Sequence, residues 1–410
     1  MWYYVDRILV AHQIEDAAAS GRPRGNLSDL YPRWLGTREL LLHGRDPYSD
    51  DITREIQAGY YGRVLDPNRP GDPKDQQGFV YPVYVALLLA PTVHWQFHTV
   101  QTFFRWALIL LTVGSVFWWL RGVSWRLTCW QKCAATLLVV GSFSFVQAYK
   151  LQQLTLLVCA LLAGASAALV AGLPLLAGFL LAVATIKPQV VTPLLFVLLV
   201  WTLADWRARQ RWFGSFVATM IVFEAGSELL LPGWIPRFLA ALRSYQQYAG
   251  RSSLLEGILP GHWHVVVWMC LLLCLLAGAW RLRRERIDSP MFALGVAWTL
   301  SITLLLIPMF AGYNQMLLLP GVFYLTKERA AIRKGSLALQ SGGILLAVAL
   351  SWPWSWALVL DAGAVLFPQV FLPKIVQGFW AVPLYPTLVL PLLVFALLTL
   401  QLWRRKIEVE

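Results

Sequence analysis

Charge is scarce in this 410-residue chain: Asp, Glu, Lys and Arg make up 14% of it, against 58% hydrophobic residues and 21 Trp. So little polarity cannot clothe a water-soluble globule, and the composition is that of a polytopic membrane protein. Cysteine is sparse too. Cys129, Cys133, Cys159, Cys270 and Cys274 are odd in number, lie in or beside apolar runs and contain no C-x-x-C, which excludes a disulfide framework and a thiolate zinc site. His94/His98 and His262/His264 have no carboxylate in register beside them, so no metal site is expected. Nor is any cofactor. The net charge of +12 is dispersed in short clusters between apolar runs, a membrane-topology pattern that argues against nucleic acid as a partner.

What is present is a succession of apolar runs. They predict an all-α protein with eleven membrane spans near 98–120, 133–150, 154–171, 174–187, 189–204, 212–231, 264–280, 291–312, 315–326, 336–360 and 382–403. The connections alternate in charge. One side collects Arg121, Arg126, Lys132, Arg207, Arg209, Arg211, Arg281, Arg283, Arg284, Arg286, Lys327, Arg329, Arg333, Lys334, Arg404, Arg405 and Lys406. The other holds Lys150, Lys187, Arg237, Arg243, Arg251 and Lys374, and this bias puts the carboxyl terminus, with a short tail at 407–410, in the cytoplasm.

Eleven spans ending inside begin outside, so the polar segment 1–79 is expected on the extracytoplasmic face, ahead of a bundle over 80–406. Residues 1–20 carry Asp6, Arg7, His12, Glu15 and Asp16, each costing about 2.5–3.5 kcal/mol at the bilayer centre, and do not read as a conventional transmembrane helix. A further helix ahead of residue 1 is therefore expected. The span 174–187, at 1.5 Å per residue, rises about 21 Å against roughly 30 Å of hydrocarbon. Its end at Lys187-Pro188, like the start of the short span 315–326 at Tyr313-Asn314-Gln315, should therefore lie at depth, where irregular backbone is tolerated beside protein or water. A shared outward-facing cavity follows.

In the polar segment, Asn26 or Ser28 can cap a helix over about 29–43, with Leu30, Trp34, Leu35, Leu41 and Leu42 as its apolar stripe and Gly44 at its end. Asp29 falls in the first turn, where free amides and the helix dipole favour its carboxylate; spacing alone reads equally well as a helix-supporting acid.

The order of an Asp29-bearing helix, Gly44-Arg45-Asp46-Pro47-Tyr48 and Phe79-Val80-Tyr81-Pro82-Val83-Tyr84 resembles the bacterial polyprenol-phosphate-sugar-dependent glycosyltransferases of family 87. Gln153, then Ala177-Gly178 and Ile186-Lys187-Pro188, then Tyr313-Asn314-Gln315 with Leu319-Pro320, continue the resemblance over roughly residues 27–325. Departures are Gln152 where the family has Gly, Thr155 where it has Asn, and Val83 where a second proline is frequent.

The resemblance implies a GT-C-like bundle in the bacterial cytoplasmic membrane. It implies an inverting hexosyltransferase, mannosyltransferase-like, that carries sugar from a polyprenyl-phosphate donor to a glycan or glycolipid acceptor outside. By this analogy Asp29 is the general base, and the departing phosphate needs cations or amides. Lys187 is the first candidate, since an intramembrane lysine without an anion is costly; Gln153, Lys150 and Arg105 are further candidates near the same level. Tyr81, Tyr313 and Asn314 are candidates for substrate contact, as are Glu224 and Glu228, four apart on one helix face, which also supply an alternative base. A transporter or lipid-linked-sugar flippase would equally use broken helices and buried charge, and a member that has lost catalysis would keep the same spans.

Overall fold

A computed structural model describes the chain apart from residues 24, 26, 27, 67, 70, 249–252, 370, 372–377 and 408–410. Asn26, Arg251, Lys374 and most of the tail expected at 407–410 thus lie outside the described residues. Every regular element among those described is helical. A π-helical turn, Tyr4–Leu9, runs into α1 (Val10–Ala19), and α2 (Leu30–His43), α3 (Asp50–Tyr61) and the short α4 (Val85–Leu89) complete the amino-terminal part. The bundle then comprises α5 (Phe97–Gly122), α6 (Cys129–Val140), α7 (Phe143–Lys150), α8 (Thr155–Val170), α9 (Pro174–Ala184), α10 (Pro188–Leu203) and α11 (Trp206–Leu230). After α12 (Trp234–Tyr248) and α13 (Leu254–Ile258) come α14 (Trp263–Leu282), α15 (Pro290–Leu306), α16 (Leu319–Lys327), α17 (Arg329–Arg333), α18 (Leu337–Leu366) and α19 (Val389–Ile407).

Five described stretches are long and apolar enough to cross a membrane: α5, α11, α14, α18 and Phe379–Arg404, which ends in α19. α6 and α7 make a sixth as a pair bent by 57°, and α8, α9, α10 and α15 are shorter apolar helices. The single span expected at 133–150 is broken because Gly141 admits the Trp354 ring, against which a β-carbon would lie at 2.3 Å. Ser142 then restarts the helix by accepting from the Phe145 amide. The span expected at 291–312 stops at Leu306 because Pro308 pushes Ile307 into an extended conformation, ψ 135°. A 3₁₀ segment, Gly312–Leu318, follows before α16 begins.

α8 and α15 are buried on nearly every side, as expected of helices that are apolar all round and occupy the centre. α5 and α9 flank α8, and α9 also packs on α11. Gly178 sets that last approach: a β-carbon there would sit 2.1 Å from the Trp212 carbonyl oxygen and 2.8 Å from the Phe216 nitrogen. Most of α11 instead presents apolar side chains outward, with Val222 and Leu229 exposed.

The amino-terminal helix departs from the sequence expectation in one respect. It is not among the stretches long and apolar enough to span, yet Tyr4, Val5, Ile8 and Leu9 are buried against the bundle. Trp2 donates from its indole to the Val140 carbonyl and stacks edge-on with Tyr149, while Asp6 pairs with Lys150. Its charged residues lie on the opposite face, which is how one short helix reconciles them with an apolar dock.

Candidate functional site

Three consecutive contacts stitch the start of α2 to the turn after α7. Ser28 donates to the Gln152 side chain, the Asp29 amide donates to the Leu151 carbonyl at 3.0 Å, and Gln153 donates from its side-chain amide to the Asp29 carboxylate. The turn requires Gln152 to adopt φ +49°, a left-handed conformation that costs a non-glycine residue about 1–2 kcal/mol. This accounts for the glycine expected at that position. Here the Gln152 side chain offsets part of the strain by also donating to the Gln101 carbonyl at 2.7 Å.

Asp29 stands just before α2 and makes no capping bond to it, contrary to its expected place in the first turn. Its carboxylate is turned away, towards Gln153 and the Tyr60 hydroxyl, which donates at 3.3 Å. Burial, and then the adjacent Asp29 charge, raise the Tyr60 pKa well above the usual phenol range, so Tyr60 remains a donor. Gly44 ends α2 at φ +63° as expected, but the buried face runs through Leu30, Trp34, Leu35 and Leu40, leaving Leu42 exposed. Gly36 lies on that buried face because Phe79 crosses it.

The Gly44–Tyr48 turn has a definite duty. Asp46 accepts from the Tyr48 amide at 2.9 Å and pairs with Arg237 of α12 at 2.9 Å, while the Tyr48 hydroxyl donates to the Tyr81 carbonyl at 2.6 Å. Tyr81 is thereby fixed with Arg33 4.8 Å above its ring and the Lys187 ammonium 6.0 Å away.

Lys187 occupies the break between α9 and α10, where Pro188 opens the second helix without needing an amide hydrogen. Tyr84 holds the turn by donating to the Thr185 carbonyl at 2.9 Å. Lys187 is only 8% exposed; its ammonium donates to Gln153 Oε1 at 3.1 Å and Thr155 Oγ1 at 2.6 Å and lies 5.5 Å from the Tyr313 ring. No carboxylate pairs with it among the described residues. A buried cation at a helix amino end, where the dipole is also positive, favours binding an anion.

These side chains face one cavity of about 290 Å³, lined by Asp29, Arg33, Tyr81, Gln153, Lys187, Tyr313 and Asn314 among others. Both breaks predicted from short spans open onto it. Thr155, where the family resemblance expects Asn, links its two sides by donating to Asn314 at 3.5 Å while accepting from Lys187.

Other sequence candidates fall elsewhere. Lys150 is committed to Asp6, and Arg105 is exposed on α5; neither lines the cavity. Glu224 is half-buried on α11, and exposed Glu228 accepts from the Gly233 amide at 2.8 Å, closing the helix end. Neither acid lines the cavity.

Sequence reasoning missed Arg33, which lines the cavity and donates to the Asp29 carbonyl. Burial works against its charge, but Tyr81 and Asp29 leave its pKa raised. Its spacing of four from Asp29 on one helix was the available signal. Also missed were Tyr60 and the wall formed by Asp75, Gln77 and Gln246, whose positions depend on folding at long range.

A carboxylate and two cations around one enclosure can accept a proton from a hydroxyl and receive an anionic leaving group. Comparison with known proteins finds no match among curated proteins and none among solved structures. The model of glycosyltransferase family 87, however, matches residues 79–308, a range that includes Tyr81, Gln153 and Lys187 and excludes Asp29, Tyr313 and Asn314. With more than half its length matched and several membrane-spanning helices, the chain belongs to glycosyltransferase family 87 and is a multi-pass membrane glycosyltransferase.

Proposed function

We propose that the cavity transfers a hexose, mannose-like, from a polyprenyl-phosphate donor to an acceptor hydroxyl on the extracytoplasmic side of the bacterial cytoplasmic membrane. The observation that carries this reading is the bridge at Gln153. One amide donates to the Asp29 carboxylate and accepts from the Lys187 ammonium, so base and cation are held on opposite ends of a single planar group. The acceptor oxygen attacks the anomeric carbon as its proton passes to Asp29. The bond from that carbon to the phosphate oxygen breaks, and its electron pair leaves on polyprenyl phosphate, held by Lys187 and Arg33. Attack opposite the leaving group inverts the anomeric centre.

The segment 1–79 supplies Asp29 and belongs on the outer face in this reading, which agrees with the clustering of basic residues in the connections assigned inside. The eleven-span topology is part of the same proposal: it counts the five long spans, the bent pair, the four short apolar helices, and α16 with its 3₁₀ lead-in.

The test is transfer of radiolabel from a polyprenyl-phosphate hexose by protein in nanodiscs. Asp29→Asn should lower turnover by about 10²–10⁴-fold, the usual contribution of a positioned general base. Undiminished transfer by this variant rules out Asp29 as the base. Cysteine-accessibility labelling at residue 50 should occur from the extracytoplasmic side.

A further inference from the structure

The donor chemistry uses Asp29 and the two cations, and leaves one stretch of cavity wall without a role. Asp75, Gln77 and Gly78, from the loop after α3, line the cavity together with Tyr245 and Gln246 of α12. Gln77 is one of three non-glycine residues with positive φ among the described residues, at +56°. Strained backbone of this kind persists where surroundings over-determine it, and gathers at binding sites.

The surroundings here are specific. Asp75 accepts from the Gln77 amide at 3.1 Å, the Tyr61 hydroxyl donates to the Asp75 carbonyl at 2.8 Å, and Gln57 donates to the Gln76 carbonyl at 3.3 Å. Gln57, Tyr60 and Tyr61 all belong to α3, so the helix that holds the Asp29 carboxylate also fixes this loop. The same helix thus supports both the loop and the Asp29 carboxylate on the wall of one cavity.

We infer that the 75–78 loop and Gln246 form the acceptor subsite, and that it takes the ring of a neutral sugar. This rests on the proposed transferase reading and goes beyond it by assigning the acceptor's place and charge class. The Gln77 and Gln246 side chains each offer a donor pair and an acceptor oxygen, which suits vicinal hydroxyls that both give and take hydrogen bonds. Among the cavity-lining residues Asp75, Gln77, Gly78, Tyr245 and Gln246 there is no lysine or arginine to favour an anion, and Asp75 is a carboxylate, whereas Arg33 and Lys187 provide for the phosphate.

The test measures binding, not turnover. Full-length protein in nanodiscs is titrated with methyl hexopyranosides, followed by saturation-transfer NMR, and separately with farnesyl phosphate. Gln77→Gly keeps the left-handed backbone available while deleting the amide, so a folded variant is retained; Gln246→Leu tests the other wall. Each should weaken glycoside binding at least tenfold and change farnesyl phosphate binding by less than twofold. Lys187→Met should do the reverse. Wild-type affinity for glycosides in both glutamine variants, or no glycoside binding by the wild type, overturns the acceptor assignment. Farnesyl phosphate binding that ignores Lys187→Met instead overturns the transferase reading, so the two failures are distinct.

Discussion

Lys187→Met tests the anion site directly. Lys187 is 8% exposed, and its ammonium is solvated by Gln153, Thr155 and two aromatic faces in place of a counter-ion among the described residues. Opposite unit charges about 4 Å apart interact by about 4 kcal/mol at an effective dielectric of about 20. Loss of one such group from an oxyanion site commonly costs about 2.7–4 kcal/mol, or roughly 10²–10³-fold in rate. The thermal assay reads the same interaction at equilibrium. At a polyprenyl-phosphate concentration 100 times its Kd, the wild type gains about 2.7 kcal/mol of stability; a site weakened about a hundredfold gains about RT ln 2, or 0.4 kcal/mol. Methionine fills most of the lysine volume and removes the cost of a buried charge, so the variant should stay folded without ligand. Full turnover together with an undiminished ligand-induced shift in Lys187→Met would refute the anion-site argument. Lys187→Arg should recover part of the shift, since it restores the charge in a different geometry.

Tyr60→Phe removes one hydrogen bond to Asp29, worth about 1 kcal/mol, and should lower kcat about fivefold with little change in the donor KM. Gln152→Gly relieves the left-handed backbone by about 1–2 kcal/mol but loses the side-chain bonds to Ser28 and Gln101, so its unfolding midpoint should stay near wild type, whereas Gln152→Ala should be destabilised by about 1–3 kcal/mol in chemical denaturation. Gly178→Leu should disrupt the α9–α11 contact, costing more than about 3 kcal/mol and reducing the folded fraction seen by size exclusion, because the atoms it meets are backbone. Asp72, paired with Arg63, has its pKa lowered to about 2 by that hydrogen bond. A depressed carboxylate stabilises above its unfolded value of about 3.9 and loses that contribution as pH falls toward 2. Protection of the Asp66 amide, which donates to Asp72, and of amides at 71–78, taken relative to their intrinsic exchange rates, should thus be unchanged from pH 7 to 5 and fall between pH 4 and 2; an Asp72→Asn variant should show the lower protection already at pH 7.

Local chemistry made much of the scaffold legible. Short apolar runs, Pro188 and the polar Tyr313-Asn314 pair located two helix breaks, and those breaks open onto one cavity because bundle geometry brings such ends together. Gly44 marked the end of α2 by its left-handed conformation. Pro308 shortened α15 in a way that apolar periodicity alone obscured, since Ile307 and Met309 look as greasy as the helix before them. The family was legible as well, from motifs spread over most of the chain, and the matched range 79–308 bears it out. Partners separated by long stretches of chain were hidden: Lys150 against Asp6, Tyr48 beneath Tyr81, and Tyr60 against Asp29 depend on packing that no local pattern records. Glu224 and Glu228 drew attention because acids are rare in apolar helices, yet rarity says nothing of which way a helix face turns.

The amide of Gln153 has one further consequence. Left in contact in a low-dielectric site, Asp29 and Lys187 would collapse into a salt bridge, each quenching what the other offers substrate. A neutral side chain between them acts as an electrical spacer: it satisfies both charges without cancelling either and provides no titratable proton to hop across. On the proposed reading, the near-isosteric Gln153→Glu should add an anion that neutralises Lys187 and repels Asp29, and transfer should be lost.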